Sequence, residues 1–178
     1  MDFAAHALYG ATFCSQSGLA GGRQGFAASM WRDKTVWASL FWGVLPDVVS
    51  MGIPFVVFLA SRQQHWGHFF MEFEGMGLLL YRWMHSLVPA GVVLLALYRF
   101  RRSMFVPALA WPLHLLTDAV THHSSGKFRT TLFYPFTDWA IDGWPWWHSP
   151  GLIFAYWALL PTVWIGLVIL RRRRLAPT

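Results

Sequence analysis

Hydrophobic residues run in long uninterrupted segments along this chain, whereas charged residues gather in short clusters between them. A membrane-spanning helix needs roughly 20 mostly apolar residues, and four segments approach that length, at about residues 36–60, 76–98, 104–120 and 152–170. A fifth segment, residues 3–22, contains His6 but no Lys, Arg, Asp or Glu. The pattern therefore predicts an all-α fold, a polytopic membrane bundle of four or five transmembrane helices.

The composition agrees with this class. The 178 residues are 56% hydrophobic and only 12% charged, and the mean hydropathy is +0.40, which is typical of a chain surrounded largely by lipid. We find no internal repeat and no linker, so we expect one domain over residues 1–178. Asp2 and His6 stand where a signal peptide carries Lys or Arg, so we do not expect the first segment to be one.

The positive charges predict the orientation in the membrane, because Lys and Arg in short loops stay on the cytoplasmic side. They flank alternate ends of the long segments: Arg23, Arg32, Lys34, Arg99, Arg101, Arg102 and residues 171–174. The opposite connections carry acidic residues: Glu72, Glu74, Asp138 and Asp142. We expect a cytoplasmic C-terminus. The net charge of +6 is then explained by orientation and anionic lipid headgroups, with no nucleic-acid partner.

The long outer connection, residues 123–150, contains the tryptophan-rich stretch FYPFTDWAIDGWPWW. Trp and Tyr favour the headgroup layer, since their rings are apolar and their N–H or O–H groups need a partner. This stretch is therefore an interfacial anchor, or alternatively a lid or wall over a lipid-facing pocket. Cys14 is the only cysteine and cannot form an internal disulfide.

Ionisable residues inside the apolar segments indicate chemistry, because a charge in hydrocarbon is expensive unless it is paired or binds an ion. His114, Asp118 and His122 follow one another at intervals of four, so neighbouring members share a helix face. His114 and His122 are separated by about 12 Å of helical rise. The spacing leaves two alternatives: one metal with a spare histidine, or two metals with Asp118 between them.

The other two central segments carry similar residues. Asp47 follows Pro46, which suits the first turn of a new half-helix and would place Asp47 near its partly positive end. Arg82 and His85 are three apart and share a face. We expect His85 to be a ligand, and Arg82 to orient a ligand, to grip a substrate or to form an ion pair with Asp47 or Asp118.

Four short motifs in order resemble the family of inner-membrane, LexA-regulated metal-dependent hydrolases, which has a distant similarity to zinc-dependent phospholipases C. They are His6, then GVLPD, YRWMHS and HLLTDAVTH. The resemblance implies a bacterial inner-membrane location and these metal ligands: His6, Asp47, His85, His114 and Asp118. The chain departs from the family pattern at Val49 and Tyr81, where the family has further ligands, and His122 or His123 is available to compensate.

Together these features predict a membrane-bound hydrolase with the catalytic residue Arg82 and the metal ligands His6, Asp47, His85, His114, Asp118 and His122. Nitrogen and carboxylate ligands without thiolate suit a divalent metal, zinc first, then iron or manganese. A site between membrane segments favours an ester or phosphodiester of a lipid or other amphiphilic substrate. The alternatives are a small transporter or channel, and an assembly protein in which the polar residues bond helices together.

Overall fold

The structure, a computed structural model, describes residues 1–22, 30–60 and 74–175. Within these ranges the chain is helical and contains no strand, which confirms the predicted all-α class for them. The α-helices are α1 (Phe3–Cys14), α2 (Lys34–Asp47), α3 (Ile53–Ala60), α4 (Met76–Met84), α5 (Leu87–Phe100), α6 (Arg102–Ala108), α7 (Ala110–Thr121) and α8 (Pro150–Leu175). Arg23 and Glu72, used above for orientation, lie outside the described residues.

Two helical segments are long and apolar enough to cross a membrane: Lys34–Ala60, of 27 residues, and Pro150–Arg173, of 24 residues. Helices α4 and α5 form a third if this pair, bent by 54°, is one span. The chain is therefore compatible with membrane insertion through two or three helices in its described part. The predicted count of four or five spans is not confirmed.

Two predicted segments are interrupted or short for identifiable reasons. The predicted segment at residues 104–120 is divided at Leu109 into α6 and α7. The division lies next to Pro107 and Pro112, whose nitrogens cannot donate a helical hydrogen bond. In the N-terminal segment the α-helix covers only the 12 residues of α1, a length of about 18 Å. It ends at Ser15, whose hydroxyl bonds back to the carbonyl of Ala11 at 2.6 Å.

Helices α1 and α2 pack closely against each other, and both contact α7. Glycines allow this approach: a Cβ at Gly10 would lie 2.5 Å from the carbonyl oxygen of Ser39, and one at Gly43 would lie 2.7 Å from that of His6. Small residues permit such backbone contact between membrane helices. The close packing brings the α1 residue His6 and the end of α2 to the same side of α7.

The connection after α7 folds back over the C-terminal end of that helix. Gly143 N–H donates to the carbonyl of His122 at 2.9 Å, and Trp144 N–H donates to that of Val120 at 2.9 Å. A Cβ at Gly143 would lie 2.5 Å from the Val120 oxygen, so this crossing requires glycine. The 3-10 turn Trp146–His148 follows and lies beside the end of α7.

Candidate metal centre

Four ionisable side chains from three parts of the fold converge at one point. Asp47 is the last residue of α2, His85 follows the end of α4, and His114 and Asp118 lie one turn apart on α7. One ligand atom from each lies within 4.8 Å of the others. His85, His114 and Asp118 are almost fully buried, while the Asp47 side chain is 14% exposed.

The backbone around Asp47 differs from the sequence prediction. Pro46 lies inside α2 and Asp47 keeps helical dihedral angles, so the expected new half-helix at Pro46 is wrong. The helix instead widens immediately after Asp47 into the π-helical turn Val48–Gly52 before continuing as α3. Such single wide turns inside α-helices are frequent at functional sites.

Two backbone carbonyls fix how the histidines present their nitrogens. His114 Nδ1 lies 2.7 Å from the carbonyl oxygen of Gly43, and His85 Nδ1 lies 3.1 Å from that of Tyr81. A carbonyl oxygen only accepts, so each Nδ1 carries the proton and each neutral ring leaves Nε2 unprotonated. Histidines that bind metals are commonly oriented in this way, by donation of the other ring N–H to a carbonyl.

The Nε2 atoms of the two histidines face each other, and in the neutral rings neither carries a proton. His85 Nε2 lies 3.2 Å from His114 Nε2, and two lone pairs cannot bond to each other. Carboxylate oxygens surround the same point: Asp47 Oδ1 lies 3.4 Å from His85 Nε2, and Asp118 Oδ2 lies 3.2 Å from His114 Nε2. Four acceptors directed at one buried volume require a cation or an added proton between them.

The spacing of these atoms suits a tetrahedral ion. Zinc bonds of about 2.0–2.1 Å to nitrogen and oxygen place neighbouring tetrahedral ligands roughly 3.3–3.4 Å apart. Five of the six ligand separations in this group are 3.2, 3.2, 3.4, 3.5 and 3.8 Å. An octahedral ion with bonds of about 2.1 Å would require neighbours roughly 3.0 Å apart. The two carboxylates would also balance the charge of a divalent cation.

His6 contacts this group without belonging to it. The two oxygens of Asp118 have different neighbours: Oδ2 faces His85 and His114, whereas Oδ1 lies 2.8 Å from His6 Nε2. The backbone nitrogen of Met1 lies 2.6 Å from the same Oδ1. The His6 ring also stacks on His114, with centroids 3.7 Å apart. His6 therefore contacts two members of the group, Asp118 and His114. Its role as a metal ligand stays a prediction.

His122 lies on the far side of Asp118. Its Nδ1 is 3.4 Å from Asp118 Oδ1 and 3.1 Å from the Asp118 carbonyl oxygen, and its ring meets Trp147 edge-on at 5.4 Å. The compact group of four thus contains His114, while His122 lies beside the group. Of the two arrangements that the spacing left open, the one with a single ion and a spare histidine has the more complete set of ligands.

Arg82 points away from the converging side chains. Its Nη1 lies 3.9 Å from Asp138, a carboxylate that Arg129 also approaches at 3.7 Å. The Arg82 guanidinium lies 6.0 Å from the centre of the Tyr134 ring, and its side chain is 31% exposed. Within the described ranges its carboxylate partner is Asp138, and the alternative of an ion pair with a cluster carboxylate is wrong. Its catalytic role stays a prediction.

Tyr81, where the family pattern expects a ligand, has a supporting role in the geometry. Its ring stacks on His85 with centroids 3.9 Å apart, and its hydroxyl donates to the carbonyl of Phe128 at 2.8 Å. Sequence reasoning missed this contact and the two carbonyls that orient the histidines, because backbone acceptors leave no residue signature. Val49, the other departure, lies within the π-helical turn.

A cavity of about 730 Å³ adjoins the candidate centre. Asp47, Asp118 and His122 line it, whereas His85 and His114 do not. The imidazoles thus approach the centre from the protein interior and the carboxylates from the cavity side. An ion held here would have the cavity as its accessible face.

Comparison with models of protein families, with curated proteins and with solved structures gives no match to this chain. The resemblance to the LexA-regulated hydrolase family therefore rests on the four motifs alone. In its described residues, the fold and the site define an all-α protein with helices apolar enough to span a membrane and a buried His/Asp cluster that could hold a metal ion.

Proposed function

We propose that this chain is a membrane-embedded, metal-dependent hydrolase. The observation that carries the proposal is the approach of two histidine Nε2 atoms to 3.2 Å, with both Nδ1 atoms committed to carbonyls and two carboxylates alongside. The proposed ligands are Asp47, His85, His114 and Asp118. The order of the motifs supports placing the chain in the bacterial inner membrane, and the distribution of Lys and Arg supports a cytoplasmic C-terminus.

Zinc is the proposed ion, because the donors are nitrogen and oxygen and their separations match a tetrahedron. Iron and manganese accept the same donors, and affinity alone does not choose among them. Asp47, His85, His114 and Asp118 would hold the ion, and a bound zinc would supply an activated water and polarise an ester or phosphoryl oxygen. Asp47 and Asp118 line the cavity, so a substrate would reach the ion from that side.

Arg82 does not line the cavity and is proposed to attract the anionic headgroup of the substrate from outside it, as the planar guanidinium suits phosphate. Arg82 and Arg129 share the single carboxylate of Asp138, so this surface carries an excess of positive charge. The negatively charged headgroup of a phosphodiester amphiphile would be attracted to Arg82 and Arg129.

The first experiment measures metal in the purified protein. Elemental analysis in lipid nanodiscs is expected to give one zinc per chain, and His114→Ala should remove it. His123→Ala is the matched control, since His123 is half exposed and pairs with Asp142. Wild-type protein without bound metal, or equal metal content in the two variants, contradicts the proposed centre.

The second experiment separates the enzyme from a transporter. Hydrolysis of a fluorescently labelled phospholipid should be present in the zinc-loaded protein and fall by three orders of magnitude or so in Asp118→Asn, since ligand loss removes the activated water. A transporter would instead alter solute flux into liposomes, and the π-helical turn in the first span is the feature that favours it. Flux without hydrolysis contradicts the enzyme.

A further inference from the structure

The cavity beside the candidate centre is polar at one end and apolar elsewhere. Asp47, Asp118 and His122 form the end next to the centre. One further carboxylate, Asp2, also lines the cavity, but it already accepts hydrogen bonds from Tyr156 and Trp157. We infer that this cavity binds one acyl chain of a lipid from the surrounding bilayer. The identification of this acyl chain as part of the substrate rests on the proposed function.

One helical face forms an apolar wall. Val48, Met51, Gly52 and Phe55 line the cavity at spacings of three and four, which is the periodicity of a single helix face. Apart from Met1, the other apolar lining residues are aromatic: Phe3, Tyr81, Phe128, Trp146 and Trp147. A sugar or peptide would leave its polar groups unpaired against such walls, whereas a hydrocarbon chain would not. The volume of about 730 Å³ falls in the usual range of roughly 300–1,000 Å³ for ligand cavities.

The cavity also reaches the surface that would face lipid. Phe3 and Val48 line it and are 51% and 44% exposed. Val48 belongs to the apolar segment Lys34–Ala60. Val56 and Val57, in the same segment, are more than 60% exposed. An acyl chain would therefore enter sideways from the bilayer, without passing through water.

The tryptophan-rich connection contains residues suited to each of the roles that its sequence suggested, a cavity wall and an interfacial anchor. Trp146 and Trp147 form part of the cavity wall, while Trp139 and Trp144 are 56% and 70% exposed. Exposed Trp favours the headgroup layer.

Gly52 offers a way to fill the cavity. A Cβ there would meet only Val48 Cγ1 at 3.8 Å, an ordinary contact, so Gly52→Phe adds a ring to the cavity wall without a backbone clash. Gly91 on α5 is the matched control, because a Cβ there meets nothing within 4 Å and Gly91 does not line the cavity.

The experiment uses nanodiscs of phosphatidylcholine carrying a diazirine on the acyl chain. After photolysis, mass spectrometry is expected to find cross-links on Met51, Phe55 or Phe128. The yield at these residues should fall on the order of tenfold in Gly52→Phe and stay unchanged in Gly91→Phe. Met51→Trp provides a second filled cavity if Gly52→Phe does not fold.

The result that overturns the inference is labelling confined to outward residues such as Val56 and Val57, or cavity labelling that both filled variants leave intact. The measurement is repeated after metal removal. Because binding of the chain needs no metal, cavity labelling without any metal or hydrolysis would contradict the proposed function and leave the acyl-chain site standing.

Discussion

The histidine pair His85 and His114 depends on atoms that no sequence pattern records. Their spacing from Arg82 and Asp118 predicted shared helix faces, and the cost of burying them predicted a common partner. The tautomers could not be predicted, because they follow from the carbonyls of Tyr81 and Gly43. Residue type and periodicity thus indicated which side chains matter, and tertiary packing determined which atoms meet.

Tyr81→Phe tests whether Tyr81 supports the centre or belongs to it. The ring stacking on His85 would remain, but the hydrogen bond to Phe128 would be lost. We expect unchanged metal content and a loss of about 1 kcal/mol in the free energy of unfolding, measured by elemental analysis and thermal unfolding. Loss of the metal in this variant would instead make the phenol a ligand.

At the level of the elements, apolar length predicted that helices exist but not where they bend. The segment Lys34–Ala60 passes through a π-helical turn without stopping at Pro46, whereas the third predicted segment divides at Leu109. A proline can either interrupt a membrane helix or lie within it, since neighbouring groups can satisfy the carbonyl that loses its hydrogen-bond donor. The count of spans was therefore the least predictable part of the fold.

Gly43 links helix packing to the centre. Gly43→Ala would place a Cβ 2.7 Å from the His6 carbonyl and would move the carbonyl that orients His114. We expect about 1–3 kcal/mol of destabilisation and a roughly 10- to 100-fold loss of metal affinity, measured by thermal unfolding and metal titration. Gly91→Ala, in open space, is the control and should show neither effect.

Arg171 joins α8 to the end of α1. It is 5% exposed, unlike a solvated loop charge, and its guanidinium donates to the carbonyls of Ser17, Gly18 and Gly22. Arg171→Met should lower the free energy of unfolding by about 2 kcal/mol, because hydrogen bonds from a charged group are lost. Arg172→Met, at an exposed position, should leave the unfolding midpoint unchanged; equal midpoints would contradict the role of Arg171.

For the molecule as a whole, the proposed ion would connect α2, α4 and α7, which are far apart in sequence. Removing it should therefore weaken the entire bundle. At a zinc concentration about 100-fold above the dissociation constant, binding adds about 2.7 kcal/mol to stability, so chelation should lower the unfolding midpoint and added zinc should restore it. An assembly protein in which these side chains only bond to each other would unfold at the same temperature with and without chelator.

The most direct measurement is anomalous diffraction at the zinc edge from crystals of the purified protein. We expect one anomalous peak at about 2.0–2.2 Å from His85 Nε2, His114 Nε2 and one oxygen each of Asp47 and Asp118. A peak located only at exposed histidines such as His123, or the absence of any peak in zinc-loaded crystals, would contradict the account.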